Sequence, residues 1–499
     1  MSETFITDGA GGAALRRVGV GKARVVPRGD EERAPATLHD TFDGALAAAG
    51  LLLVAAGDGL WLVGLPEGPV HQADAEPGFV QDMNEGPVTA ALRPRVPALR
   101  RLIPVADATL ARQAMALIDD EGKTLVRVAV CAVSTGHGSA TVLTLSPLRG
   151  YDRPHARLRA ALDPLGDPEA ALTALRPPAM RYTAKPPVDI AADMPARKAA
   201  TLLARTHLSV ARANERGIVA DHDTEFLHDY RVNLRKVRSV VSLFTGVWSE
   251  KDTTRLKDRF RALMAPTGPL RDLDVHLLDR DRYMEMVPEA LRPGIVALFD
   301  DFAKERAAAQ AALARHLESD DYAREAAALE ALLASAKRLK PGPAADVPVA
   351  PFAQDLIWSR YRKVCKRAAR IDDATPDEEV HALRIHCKKL RYLMEFFAPV
   401  FGPSEVKPLV KALKGLQDTL GAFNDAAVQQ DALRAVLERL PRRGAARIEI
   451  ATSIGALLTV LAQRQAEGRA RVASSFAAFD SPETRAGFAD LFHRGKEAA

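Results

Sequence analysis

The spacing of apolar and polar positions changes character near residue 190. Before it, apolar residues come in short runs bounded by Gly and Pro, the pattern of strands and tight turns. GLLLVAAGDGLWLVGL (50–65) predicts two strands about a Gly-Asp-Gly turn. KTLVRVAVCAV (123–133) and SATVLTLSPL (139–148) predict a second pair separated by STGHG. Residues 97–116 fit a helix or a further strand, and 157–162 and 168–175 have helical spacing. An α+β domain with antiparallel pairing is expected over 1–190.

A Pro-rich passage at 176–195 reads as a linker or domain edge, and helical periodicity follows. Helices are predicted at 194–217, 226–244, 251–264, 293–317 and 321–339. After a second linker, KPGPAADVPVAP, they resume at 352–370, 379–397, 406–420, 424–440 and 445–468, with a shorter one at the end.

Two of these helices are copies. FLHDYRVNLRKVRSVVSLF (226–244) matches EVHALRIHCKKLRYLMEFF (379–397) without a gap at a separation of 153 residues. His228 falls on His381, Arg231 on Arg384, Arg235 on Lys388, Lys236 on Lys389 and Arg238 on Arg391. A duplication at this period implies two related bundles and not a solenoid. In each copy the apolar residues share one side. His228, Arg231, Arg235 and Arg238 share an arc of roughly 80° on the other. Like charges three and four residues apart repel, and no acid stands in the row to relieve them. Two readings follow: an anionic partner, or acids from neighbouring helices that neutralise the row. A further basic row, Arg360, Lys363, Arg367 and Arg370, has the same spacing, in a segment (358–370) with six Lys and Arg and no acid.

Composition limits these readings. A chain of 499 residues with 47% hydrophobic content holds two or three domains with proper cores. Net charge is only +5, so basic character matters locally. Three distant cysteines give neither a disulfide framework nor a CxxC metal site, which fits a reducing cytoplasm. The polar start MSETFITDGAGG predicts no signal peptide. The longest apolar run (45–56) is too short for a bilayer, so no membrane partner is expected. Facing imidazoles at His228 and His381 would be a possible zinc pair, but no HxxxH or HxxE completes a site and the neighbouring cations oppose it. Phosphate hydrogen-bond donation suits them better. Asp272, Asp274, Asp418, Asn424 and Asp425 are expected at helix ends, as caps or as buttresses of arginines. LRDLD (270–274) aligns with LGAFND, Leu270 against Leu420 and Asp274 against Asn424 or Asp425.

Residues 15–190, through LHDTFDGALAAAGLLL, GLWLV and RRLIPVADATLARQAMALIDDEGKTLVRVAV, resemble a CYTH domain, the triphosphate tunnel fold. That resemblance implies a closed eight-stranded barrel whose inward Arg and Lys bind triphosphate and whose Glu residues hold divalent metals. The family's ExExK is absent (RRVGVGKAR stands there), LLLVAA replaces its basic strand, and TVLTLSP lacks the later carboxylates. Without clustered carboxylates no divalent metal is expected. The expectation is a degenerate domain with no catalytic residues, metal or cofactor.

HxxRVxxRxxR, LRDLDV, HxLRIxxKKLRY and LQDxLGxxND together resemble the CHAD domain, the conserved histidine α-helical domain, over 195–485. The resemblance implies two pseudo-symmetric four-helix bundles, here about 195–340 and 351–485, and a basic surface that binds inorganic polyphosphate, with a place at polyphosphate granules. Carried over residue by residue, it implies polyphosphate contacts from His228, Arg231, Arg235, Lys236 and Arg238, and from His381, Arg384, Lys388, Lys389 and Arg391. Tyr392 also matches, though Ser239 is its counterpart. The row Arg360, Lys363, Arg367 and Arg370 joins the candidate set by spacing. Arg offers forked donors and Lys a compact charge to such a polymer. Two rival readings are a CYTH-type triphosphatase fed by the helical surface, opposed by the missing carboxylates, and a nucleic-acid binder. Aromatics make up 5% of the chain, and Tyr392 alone lies beside these rows, which argues against base stacking.

Overall fold

The computed structural model describes residues 2–163, 167–372, 374–440 and 445–493. These divide into two compact units. One runs to Lys185 and includes His222–Phe226; the other comprises Pro186–Asp221 and the chain from Leu227 onward.

The first unit is built on an antiparallel sheet. Its strands are β1 (Glu3–Asp8), β2 (Gly19–Val20), β3 (Ala23–Pro27), β4 (Glu32–Asp40), β5 (Leu52–Ala56), β6 (Gly59–Val63), β7 (Val70–Gln72), β8 (Ile103–Ile118), β9 (Thr124–Thr135) and β10 (Ser139–Pro147). Their order is β1-β10-β9-β8-β4-β5-β6-β7, with β2 and β3 branching from β8. The ambiguous stretch 97–116 thus supplies the strand β8, paired to β9 on one side and to β4 and β3 on the other. The predicted hairpin is β5–β6. Gly59 closes its turn at φ +125°, and a Cβ there would stand 2.5 Å from the Gln72 carbonyl oxygen, so only glycine fits.

Helices α1 (Gly11–Arg17), α2 (Ala45–Ala48), α3 (Pro87–Leu92), α4 (Asp152–Leu162) and α5 (Pro168–Ala174) cover the sheet. Along β9, Val126, Val128 and Val130 join a core with Leu15 of α1 and with Leu158 and Leu162 of α4. Cys131 and Val133 belong to another core, with Leu172 of α5. Burial on both faces explains the continuous apolar runs of these strands. Each buried Val or Leu contributes about 1.5–3 kcal/mol. This is the strand-rich, curled sheet that the CYTH resemblance implies, as a half-barrel ending at β1 and β7 rather than a closed barrel.

The second unit is helical: α6 (Ala196–Ala213), α7 (Glu215–Val219), α8 (Thr224–Leu243), α9 (Glu250–Met264), α10 (Gly268–Leu278), α11 (Arg280–Glu285), α12 (Arg292–Leu317) and α13 (Asp320–Leu333). Then come α14 (Val349–Ala368), α15 (Asp377–Phe401), α16 (Pro403–Arg439), α17 (Ala445–Ala470), α18 (Val472–Phe479) and α19 (Pro482–Phe492). Four pairs of helices begin 153 residues apart: α6 and α14, α8 and α15, α9 and α16, α12 and α17.

The repeat is also a pseudo-twofold arrangement. Pro195 bridges Pro348, its own equivalent. The Ala196 N–H donates to the Val347 carbonyl, and the Val349 N–H donates to that of Met194, both at 2.9 Å. Arg197 to Ala345 and Ala350 to Ala192 repeat the exchange, again at 2.9 Å. Deeper in, Phe244 stacks on its equivalent Phe397 with ring centroids 4.9 Å apart. An axis relating the halves passes between each of these pairs.

Several predicted boundaries differ; the helix expected over 321–339, for one, ends at Leu333. The helix expected over 194–217 ends at Ala213, where buried Asn214 turns its Nδ2 back to the Val210 carbonyl at 2.8 Å. The two helices expected at 406–420 and 424–440 are one, α16, of 37 residues. Its counterpart in the first half is broken by a 3-10 turn at Ala265–Thr267, because Pro266 and Pro269 remove amide donors; Thr419 and Ala422 stand there in α16. No helix among the described residues is long and apolar enough to cross a membrane.

Candidate anion-binding surface

The two copied helices are anchored as their periodicity requires. On α8, Leu227, Tyr230, Leu234, Val237 and Val241 are buried, and on α15 so are Val380, Leu383, Cys387, Leu390 and Met394. This fixes each helix's rotation and turns the basic rows away from the core.

Side-chain contacts on those rows repeat with the same 153-residue register. Arg271 Nη2 donates to His228 Nδ1 at 3.0 Å, and the equivalent His381 Nδ1 bonds Asn424 Oδ1. Arg238 Nη1 meets Met264 Sδ at 3.4 Å, and Arg391 Nη1 donates to Gln417 Oε1 at 3.2 Å. Arg384 Nη2 pairs with Asp425 at 3.2 Å, as Arg231 lies in the field of Asp272. His207 Nδ1 bonds Asn233 Oδ1 at 3.0 Å, and Arg360 Nη1 donates to His386 Nδ1 at 3.0 Å. Asp272 therefore matches Asp425 and Arg271 matches Asn424, three residues away from the alignment based on LRDLD. None of these acids caps a helix end. Asp272 and Asp274 lie inside α10, and Asp418, Asn424 and Asp425 inside α16. Two of them buttress arginines: Asp274 takes Arg306 at 3.0 Å and Asp425 takes Arg384.

Arginine can only donate, so His228 and His386 accept through Nδ1 and carry their hydrogen on Nε2. His381 bonds a carbonyl-type oxygen through Nδ1 and has the opposite tautomer. His386 is held down to about 4 by burial and then by Arg360, Arg367, Lys389 and Lys363, so it is neutral near pH 7.

The cations crowd one another. Lys388 is depressed to about 8, first by burial and then by Arg384 and Arg235; Asp425 opposes this. Arg235, on α8, is its symmetry equivalent, so the two rows meet at the axis. Arg231 donates to Thr267 Oγ1 at 2.5 Å. Burial lowers it, Asp272 opposes, and Arg235, Arg271 and Arg238 add to the lowering. Lys389 lies on the other flank of α15, lowered by burial, Arg360 and Lys257. Lys236 is the matching cation on α8 and adds to the lowering of His207.

Acids relieve part of this. Arg384 has Asp425, Arg391 has Glu395 at 3.4 Å, and Arg367 has Glu379 at 2.7 Å. Among the described residues, Arg235, Lys363 and Arg370 have no carboxylate within ion-pair distance, and the buried Nε of Arg384 has no hydrogen-bond partner. Tyr392 stacks along Phe396 with centroids 6.3 Å apart, and the Arg391 guanidinium stands 5.8 Å from its ring.

Lys363, Lys366, Arg367 and Arg370, with His386, line a cleft of about 610 Å³ that Ile371, Thr375 and Glu379 complete. Sequence reasoning did not single out Arg271, Lys257, Lys366 or His386. The signal for Arg271 is its 43-residue spacing from His228, matched by Asn424 from His381. Among the described residues no group of three or more His, Cys, Asp or Glu is arranged to hold a metal ion.

Comparison with known proteins adds the following. Residues 202–434 match the family model of the CHAD domain. Two uncharacterized proteins of Mycobacterium tuberculosis, from strains CDC 1551 / Oshkosh and ATCC 25618 / H37Rv, are 29% identical over 218 residues, 42% of this chain and 39% of theirs. The chain thus spans about two fifths of the length of the curated relatives it matches. The crystal structure of the CHAD domain from the plant Ricinus communis is 28% identical, with a TM-score of 0.49, covering 59% of this chain and 96% of that one. PptA from Streptomyces chartreusis is 14% identical, with a TM-score of 0.43, covering 59% of this chain and 100% of that one.

Proposed function

Residues 202–434 form a CHAD domain, and from that premise we propose that this protein binds inorganic polyphosphate, without catalysis, on the basic faces of α8, α14 and α15. The observation that carries the reading is the approach of Arg235 to Lys388, its equivalent across the pseudo-twofold axis, where burial first and then repulsion from Arg384 and Arg235 depress the lysine. Folding alone gains nothing from that repulsion. A polyanion laid across the axis would relieve it, and neutralising a dense polymer also releases its counterions. Arginine forks held by Thr267, Gln417 and Asp425 keep fixed directions, as a ligand with regularly spaced oxygens needs. Such a polymer has no bases to read, in keeping with the scarcity of aromatics on this face. The protein's place is then the cytoplasm, at polyphosphate granules, and a fluorescent fusion should follow those granules.

The test is binding of long-chain polyphosphate, with single-stranded DNA and RNA as competitors. Tight binding at low salt that weakens steeply as salt rises, with poor competition from nucleic acid, is expected. The double variant Arg235→Glu with Lys388→Glu should bind at least about a hundredfold more weakly, two lost charge contacts at about 1.4 kcal/mol each, with its helical circular dichroism intact. Unchanged affinity in that folded variant would defeat the proposal.

A further inference from the structure

The pseudo-symmetry that builds the basic rows does not extend to every cation. The cleft at the C-terminal end of α14 takes its cations from Lys363, Lys366, Arg367 and Arg370 and its imidazole from His386. At the equivalent positions the first half has Val210, Ala213, Asn214, Gly217 and Asn233. The helices are duplicated, but this set of cations and its imidazole is not.

We propose that this cleft captures the terminal phosphate of a polyphosphate chain, so that the molecule grips one end of the polymer as well as its length. The inference rests on the polyphosphate reading and adds a subsite to it. Interior and terminal phosphates differ chemically. An interior unit has two non-bridging oxygens and must leave the site on both sides. A terminal unit has three, carries nearly two charges at neutral pH because its second proton leaves near pH 6, and can end inside a concavity. An open helical row suits the former, and converging donors suit the latter.

The lining matches the terminal group. Three cations on the last turns of α14, with Arg370 just beyond its end, face a concave volume of about 610 Å³, within the range of small-ligand sites. His386 contributes a neutral donor. Arg360 donates to its Nδ1 and so fixes the hydrogen on Nε2. Glu379, paired with Arg367 at 2.7 Å, places one carboxylate at the rim. That carboxylate neutralises part of the Arg367 charge and leaves Lys363, Lys366 and Arg370 to a terminal dianion. Among the described residues Lys363, Lys366 and Arg370 have no acid at ion-pair distance. Lys389 stands beside Arg360 and adds to the field on His386, so the cleft adjoins the α15 row.

The experiment is calorimetry on the full chain with tripolyphosphate, cyclic trimetaphosphate, ATP, long polyphosphate with free ends, and the same polymer with both terminal phosphates esterified. Trimetaphosphate carries charge but has no end. Wild type should prefer tripolyphosphate to trimetaphosphate by about tenfold or more, one charge-assisted contact, and end-blocking should weaken the polymer. Lys366→Ala with Arg370→Ala should erase both preferences, while Arg235→Glu with Lys388→Glu, which weakens polymer binding overall, should keep the ratio between the linear and cyclic trimers. ATP binding as well as tripolyphosphate supports a reader of phosphate ends whatever bears them; ATP binding without tripolyphosphate overturns a polyphosphate end in favour of a nucleotide. Equal binding of the linear and cyclic trimers, or preferences that survive in K366A/R370A, also overturn the proposal. Long chains that bind wild type regardless of end-blocking sink the cleft but leave the polyphosphate reading. End-selective trimer binding without long-chain binding does the reverse.

Discussion

Lys388 shows how much a single residue reports here. Its folded-state pKa is about 8 against an ordinary 10.5, through burial first and then Arg384 and Arg235. The unfolded chain therefore holds a proton between those values that the folded one has released, and stability gains from this group as pH rises through that window. A bound polyanion reverses the preference, because it favours the charged ammonium. Polyphosphate affinity should fall as pH rises from 7 to 9, and Lys388→Arg should flatten the profile, since guanidinium stays charged throughout. Titration by fluorescence anisotropy at fixed ionic strength checks this; a flat wild-type profile would contradict it. At this scale the rows themselves were legible, because three- and four-residue spacing survives into the folded helix. The partners were not. Which acid reaches Arg384, or which cation reaches His386, depends on how separate helices pack, and the local spacing of Arg384 or His386 carries no trace of it.

The same limit appears in whole elements. Two helices, 406–420 and 424–440, were expected where one of 37 residues runs through Gly415 and Gly421. Glycine costs a helix about 1 kcal/mol per site, an amount that tertiary burial overrides: Leu413, Leu416, Leu420 and Phe423 around them are all buried. Proline is different in kind, and the first half breaks where Pro266 and Pro269 stand. Thr419→Pro, which imports the first-half residue into α16, should cost about 3 kcal/mol or more, read as a lowered urea midpoint. The strands were legible for the opposite reason. The β5–β6 turn needs a glycine at positive φ, which sequence announces, whereas β8 was ambiguous because Leu110 alone is buried between Ala106 and Ala114, which leaves no clean alternation to mark a strand.

For the helical unit as a whole, convergence of two rows at one axis makes a prediction about chain length. A long polymer that touches both rows makes its second contact intramolecularly, so affinity grows faster than contact number. Arg235→Gln alone, or Lys388→Gln alone, should remove most of the advantage of long chains over short ones, compared by calorimetry at equal phosphate concentration. Retention of the full advantage in either variant would mean that the rows act separately. The duplication itself was visible in the sequence at 153 residues, but its geometry was not, since nothing in a repeat states where the axis falls. The bonds across Pro195 and Pro348 state it, and they have a consequence for ancestry. Each half offers its neighbour the same donors and acceptors that it receives, as two identical chains would. A forebear of half the length, assembled as a pair, accounts for that reciprocity. While the halves were separate products of one gene, any pocket in one was bound to appear in the other. On that account, joining them in a single reading frame freed positions 210 and 363, now Val and Lys, to differ.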